Sequence, residues 1–173
     1  MPACPPETHA RPSPADQPLS LTYDHESREM ERYRGLALSF LPIRPHVSRL
    51  MATLGIECEQ RLGALERLAE QLQRRYCLPA PLARRQALAE QYRLHLFISD
   101  DAMASQTLSY ALVFAHHSLQ FSELMARHCQ LERLDTLLAR FVDSKRQECR
   151  LLEEMRDQIR HAAVGSRAAG SVA

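Results

Sequence analysis

Two stretches of this chain place residues at alternating intervals of four and three over many turns, and a chain that does so has two long helical stripes to bury. The first stripe reads Val47, Met51, Leu54, Cys58, Arg61, Leu65, Leu68 and Leu72; the second reads Leu134, Leu138, Phe141, Lys145, Glu148, Leu152, Met155 and Ile159. The segments Leu54–Leu65 and Phe141–Leu152 share one pattern, and charge interrupts both at one register. Arg61 in the first falls where Glu148 falls in the second, and Cys58 falls where Lys145 does. Each buried face therefore carries a polar interruption at mid-span, which marks the middle of a helical bundle as the place to look for function.

The totals fit that picture. At 173 residues the chain is long enough for one domain with one sizeable core. The absence of Trp, together with abundant Leu, Ala, Arg, Glu and Gln, favours an all-α fold. Lys and Arg number 22 against 21 Asp and Glu, so no overall basic field exists to attract nucleic acid or an anionic membrane. Cys4, Cys58, Cys77, Cys129 and Cys149 are scattered without a CxxC pair, as expected of reduced thiols in a cytoplasmic protein. The N-terminal residues lack the apolar run of a signal peptide, and no stretch approaches the roughly twenty apolar residues of a membrane span.

Taken in order, residues 1–18 are rich in Pro and small polar residues and are expected to form a disordered tail. A helix capped by Ser20 or Thr22 then presents Glu26, Met30, Tyr33, Ala37 and Phe40 on one face and ends by Leu41. The Pro42–Pro45 segment is a tight connection, and a second helix runs from Pro45 to about Arg75. Gly55 and Gly63 within it cost about 1 kcal/mol each relative to Ala, and close packing against a neighbouring helix accounts for them. Tyr76–Pro81 breaks the helix, and Leu82–Phe97 forms a shorter one. The basic pairs Arg74-Arg75 and Arg84-Arg85 flank this crossover as solvated charge. Ser99-Asp100-Asp101 signals a third helix to about Cys129, and a fourth covers about Glu132 to Arg160. Residues 162–173, rich in Ala, Gly and Ser, are expected to fray. The long crossover predicts that the second and third helices run parallel in one bundle over residues 19–161.

Over this region the chain resembles the ferritin-like superfamily, most closely its rubrerythrin-like branch. That family holds two metal ions at mid-bundle with one Glu from each of two helices and a Glu-x-x-His pair from each of the other two. The resemblance implies that Glu26, followed by Tyr33, Leu36 and Ala37, occupies the first ligand position. It places Cys58 and Arg61 at one Glu-x-x-His pair, Lys145 and Glu148 at the other, and Phe114 at the remaining Glu, by aligning Phe121 with Tyr33. Only Glu26 keeps the family's chemistry, with Glu148 a carboxylate in place of an imidazole. Arg61 and Lys145 cannot ligate a metal while protonated.

The core polar cluster at the implied metal position is thus Glu26, Cys58, Arg61, Lys145 and Glu148, with a formal charge of zero. These groups either pair with one another or, for Arg61 and Lys145, snorkel outward along their aliphatic stems. Two functional classes follow. In the first, the bundle has no metal centre and acts as a non-catalytic oligomeric, adaptor or regulatory protein. In the second, a reduced site of Glu26, Glu57, Glu148 and His117 holds iron or manganese as a non-haem oxidoreductase. His116, His117, Gln120, Glu123 and His128 share the third helix, but no two of its histidines stand at the i, i+4 spacing of a helical metal pair, so a solvated or interfacial face is the simpler reading. Cys58 is read either as a thiol activated by Arg61 or as a small buried residue. The third helix has two apolar stripes, one with Leu108, Ala111, Ala115 and Met125 and another with Tyr110, Phe114, Phe121 and Leu124. One four-helix core uses a single stripe, so the other is expected to lie under the crossover or against a second copy or protein partner. No phosphate loop, dinucleotide fingerprint or Ser-His-Asp arrangement is present.

Overall fold

The computed structural model of the protein describes residues 17–79 and 97–169, with side chains through residue 161. The described chain forms four α-helices: α1 (Gln17–Phe40), α2 (Pro45–Gln71), α3 (Asp101–His128) and α4 (Glu132–Ala169). A 3₁₀ turn at Arg75–Cys77 follows α2, and the described residues contain no strand. The short crossover helix, Arg84-Arg85, Cys4 and most of the N-terminal tail lie outside the described residues.

The four-three rhythm is carried through three helices. In α1 it runs Leu19, Tyr23, Glu26, Met30, Tyr33, with Phe40 closing the end, all buried. The stripes of α2 and α4 are buried as well, from Val47 to Leu68 and from Leu134 to Ile159, with only Met155 partly open. In α3 the buried face is Ala104, Leu108, Ala111, Ala115, Ser118 and Ser122, a seam of mostly small residues. Phe114, the position aligned with a family Glu, is instead 47% exposed, with Arg32 stacked 4.4 Å above its ring. The aromatic alignment fails because it follows residue size, whereas the space left at mid-bundle by longer side chains selects small residues on α3.

Contacts set the directions of the helices. Tyr23 bonds Glu66, Arg34 pairs with Glu59, and Ser48 donates to the Ala37 carbonyl, so α2 runs antiparallel to α1. His25 meets Ser118 and Phe121 while Ile98 meets Ser39, so α3 is antiparallel to α1 and therefore parallel to α2. Glu123 pairs with Arg146 and His116 with Glu153, which makes α4 antiparallel to α3. The parallel relation of α2 and α3 matches the long crossover. At that end of the bundle the Asp100 side chain caps α3 by accepting from the Met103 N–H at 2.8 Å, and Asp101 pairs with Arg44 just ahead of α2.

Several helix ends differ from expectation. Helix α1 already includes Gln17, the first described residue, so Gln17 and Pro18 belong to it and Ser20 and Thr22 lie inside it. Helix α2 stops at Gln71 because Gln73 adopts φ 56°, letting the Arg74 N–H reach the Ala69 carbonyl and the Gln73 N–H reach that of Glu70. This is a Schellman ending without glycine. Helix α4 continues through Ala169, past the expected start of the C-terminal tail, over residues rich in helix-favouring Ala. Gly55 does lie against α1, where an added Cβ would stand 3.5 Å from Arg34, but Gly63 faces only Arg67 of its own helix. No helix among the described residues is long and apolar enough to cross a membrane.

The seam assignment predicts opposite results for close neighbours in α2. Leu54→Ala should cost about 2–5 kcal/mol in urea denaturation, while Ile56→Ala, on the exposed face, should change stability by less than about 0.5 kcal/mol. Equal losses at the two positions would contradict the seam.

Candidate functional site

At mid-height each helix turns a polar side chain inward, and the result is a closed set of ion pairs. Arg61 of α2, 5% exposed, donates from Nε to Glu26 Oε2 at 2.7 Å. Its Nη2 reaches Cys58 Sγ at 3.0 Å and Glu148 Oε2 at 3.4 Å, and its Nη1 donates to Ser144 Oγ at 3.1 Å. Lys145 of α4, fully buried, places Nζ 2.8 Å from Glu26 Oε1 and donates to Ser118 Oγ at 2.6 Å. Its approach to Glu26 is a close ion pair off the axis of a well-aligned hydrogen bond. Tyr33 donates its hydroxyl to Glu148 Oε1. Both carboxylates are thus engaged at both oxygens, and both cations point inward rather than snorkelling.

The structure brings together all five residues of the cluster expected at this height: Glu26, Cys58, Arg61, Lys145 and Glu148. It adds Tyr33, Ser118, Ser144 and His25, which sequence reasoning did not place there. Ser118 links the network outward. Since Lys145 can only donate, the Ser118 hydroxyl is free to give its own proton to His25 Nε2, 2.8 Å away. The His25 ring stacks on Phe121 with centroids 4.2 Å apart. The signal for Ser118 lies in the four-three spacing from Leu108 through Ala111 and Ala115. Nothing in the sequence pattern marks His25, which stands one residue off the α1 seam.

Electrostatics keeps Glu26, Arg61, His25, Tyr33 and Cys58 each in one protonation state near neutrality. Burial alone would raise the Glu26 carboxyl, but Lys145 and Arg61 outweigh it and hold the group down at about 2. Burial works against the Arg61 charge, yet Glu26, Cys58 and Glu148 more than restore it. Burial, reinforced by Lys145, lowers His25 to about 4 and leaves it neutral. Burial and then Glu148 push the Tyr33 hydroxyl well above its usual range, which preserves it as a donor. Burial lifts Cys58 to about 12 in spite of Arg61. Its thiol is therefore a neutral acceptor for Arg61, and the activated-nucleophile reading is corrected.

These donors do not fit a pair of metal ions. Three of the four carboxylate oxygens accept from Arg61 or Tyr33, the fourth, Glu26 Oε1, faces the Lys145 ammonium at 2.8 Å, and two further cations beside Arg61 and Lys145 would be repelled. The alternative set is not assembled: Glu57 is partly exposed, 3.8 Å from Arg61 Nη1, and His117 lies on the exposed side of α3. Among the described residues no three His, Cys, Asp or Glu side chains gather as a metal site. Comparison of the chain with protein families, curated proteins and solved structures finds no match.

A closed network predicts coupling. Arg61→Ala and Glu148→Ala should each cost about 3–5 kcal/mol by stranding a buried partner, and the double substitution should cost less than their sum. Denaturation of the two singles and the double checks this; additive losses below about 1 kcal/mol would contradict it.

The pH dependence has two stages. His25 is lowered from 6.5 to about 4 by folding, so its contribution is complete above 6.5 and is lost as pH falls toward 4. Glu26 is lowered from 4.5 to about 2, so its contribution is complete above 4.5 and is lost below it. Thermal midpoints measured against pH should therefore fall in two steps, and His25→Gln should remove the upper one while leaving the lower.

Proposed function

We propose that this chain is a ferritin-like, rubrerythrin-like bundle in which protein charges take the place of a di-metal centre, and that it works without catalysis, through its surface, as an oligomeric, adaptor or regulatory protein. The observation that carries this reading is the engagement of every oxygen of Glu26 and Glu148 by Arg61, Lys145 or Tyr33. A carboxylate that ligates a metal needs a lone pair directed at the ion, and here a protein cation or phenol already stands against each oxygen. Two antiparallel hairpins with α2 parallel to α3, and a polar layer drawn from all four helices at mid-height, support the family relation. For contact with a second copy or another protein, α3 offers exposed Tyr110, Val113, Phe114 and Leu124.

Metal content tests the reading. Protein purified without chelator after iron or manganese supplementation should carry substoichiometric metal by elemental analysis and show no ferroxidase or peroxidase activity. Two tightly held ions per chain would sink the proposal in favour of a metal-dependent oxidoreductase.

A further inference from the structure

Helices α2 and α4 leave a trough along one side of the bundle, made of two hollows of about 400 and 440 Å³. Ala64, Arg67, Leu137 and Arg140 border both hollows, which makes the trough continuous. Its charge is one-sided. Arg67 enters from α2, Arg133 and Arg140 enter from α4, and among the described residues none of the three has an ion-pair or hydrogen-bond partner. Arg61 lies at the inner end, with Nη1 toward Ser144. Glu57 is the one carboxylate among the lining residues, and Arg61 already opposes it at 3.8 Å.

Exposed arginines outside the trough are of two kinds: Arg28, Arg49, Arg150 and Arg160 stand singly, without an ion pair among the described residues, and others are paired. Arg34 pairs with Glu31 and Glu59, Arg146 with Asp143 and Glu123, and Arg127 with Glu123. Like charges converging from two helices on one concavity repel each other until a counter-charge enters, and concave walls focus the resulting field. Guanidinium forks match phosphate and carboxylate oxygens in pairs. Gln60 and Gln147 add neutral donors to the lining, and Leu137 offers an apolar wall to a carbon skeleton. The stretch of α2 from Arg61 to Gln71 spans about 15 Å, enough for more than one oxyanion along it.

We propose that this trough binds a small polyanion with two or more phosphate or carboxylate groups, gripped by Arg67 and Arg140 with Arg133 at the outer end. The site does not depend on the ferritin-like reading and stands whether or not a metal is bound elsewhere. Calorimetric titration of the full chain with inorganic pyrophosphate, tripolyphosphate and citrate should show one saturable site that weakens as salt is added. Tighter binding of the phosphates assigns a phosphorylated ligand, and tighter binding of citrate a polycarboxylate. Arg67→Gln and Arg140→Gln, both at exposed positions, should each weaken binding by about tenfold through loss of a charged hydrogen bond. Arg127→Gln, on α3 outside the trough, should leave binding unchanged. No saturable heat with any of the three anions, or equal binding by the wild type and the double variant Arg67→Gln with Arg140→Gln, would overturn the proposal.

Discussion

Burial of the Arg61 guanidinium and the Lys145 ammonium is the constraint on which the rest of this bundle depends. An isolated charge at this depth is prohibitive, so each cation must meet a carboxylate, and each carboxylate must have its remaining lone pairs filled. Glu26 accepts from Arg61 and lies in close ion contact with Lys145, Glu148 accepts from Arg61 and Tyr33, and the surplus donors of Arg61 and Lys145 go to Ser144, Cys58 and Ser118. Such a network adds little net stability over a well-packed apolar core. Its effect is on register. A slip of any helix by one turn, about 5.4 Å, would leave a charge unpaired in the core, and that penalty weighs against every other register of the four helices.

Accommodating the network shapes the packing around it. Long side chains from α1, α2 and α4 fill the centre, so α3 must contribute little volume there, and it presents Ala111, Ala115 and Ser118 at that height. Ser118 is small and also serves as the relay from Lys145 to His25. A larger apolar residue at that position would displace the ammonium and remove its partner at once. The larger α3 residues Tyr110, Val113 and Phe114 consequently lie on the opposite face and are exposed.

The same division explains what the sequence reveals. The stripes of α1, α2 and α4 are legible because large apolar residues recur at four-three spacing, and the polar cluster is legible because Arg61, Lys145 and Glu148 interrupt stripes that are otherwise apolar. The α3 seam is not, because Ala and Ser give almost no apolar contrast while Phe114 and Phe121 draw attention to the wrong face. His25 acquires its role only from Phe121 and Ser118, which lie far away in sequence, and no local pattern encodes that meeting. The end of α2 is hidden in the sequence for a simpler reason: Gln73 takes the left-handed conformation that a glycine usually announces.

The near-zero net charge also has to be read locally. It excludes a global field, yet it does not prevent positive charge from gathering in one trough, because the interior neutralises itself. Glu26 and Glu148 are consumed by Arg61, Lys145 and Tyr33, and the third buried carboxylate, Glu29, pairs with Arg32, so each buried carboxylate already faces a partner of its own. Had the core retained a surplus of carboxylates, as an empty metal site would, their negative potential would reach the trough through a medium of low dielectric and weaken its hold on any anion. Pairing the core charges internally therefore leaves the outer arginines their field, and the groove between α2 and α4 is where, among the described residues, arginines from two helices converge on one concavity.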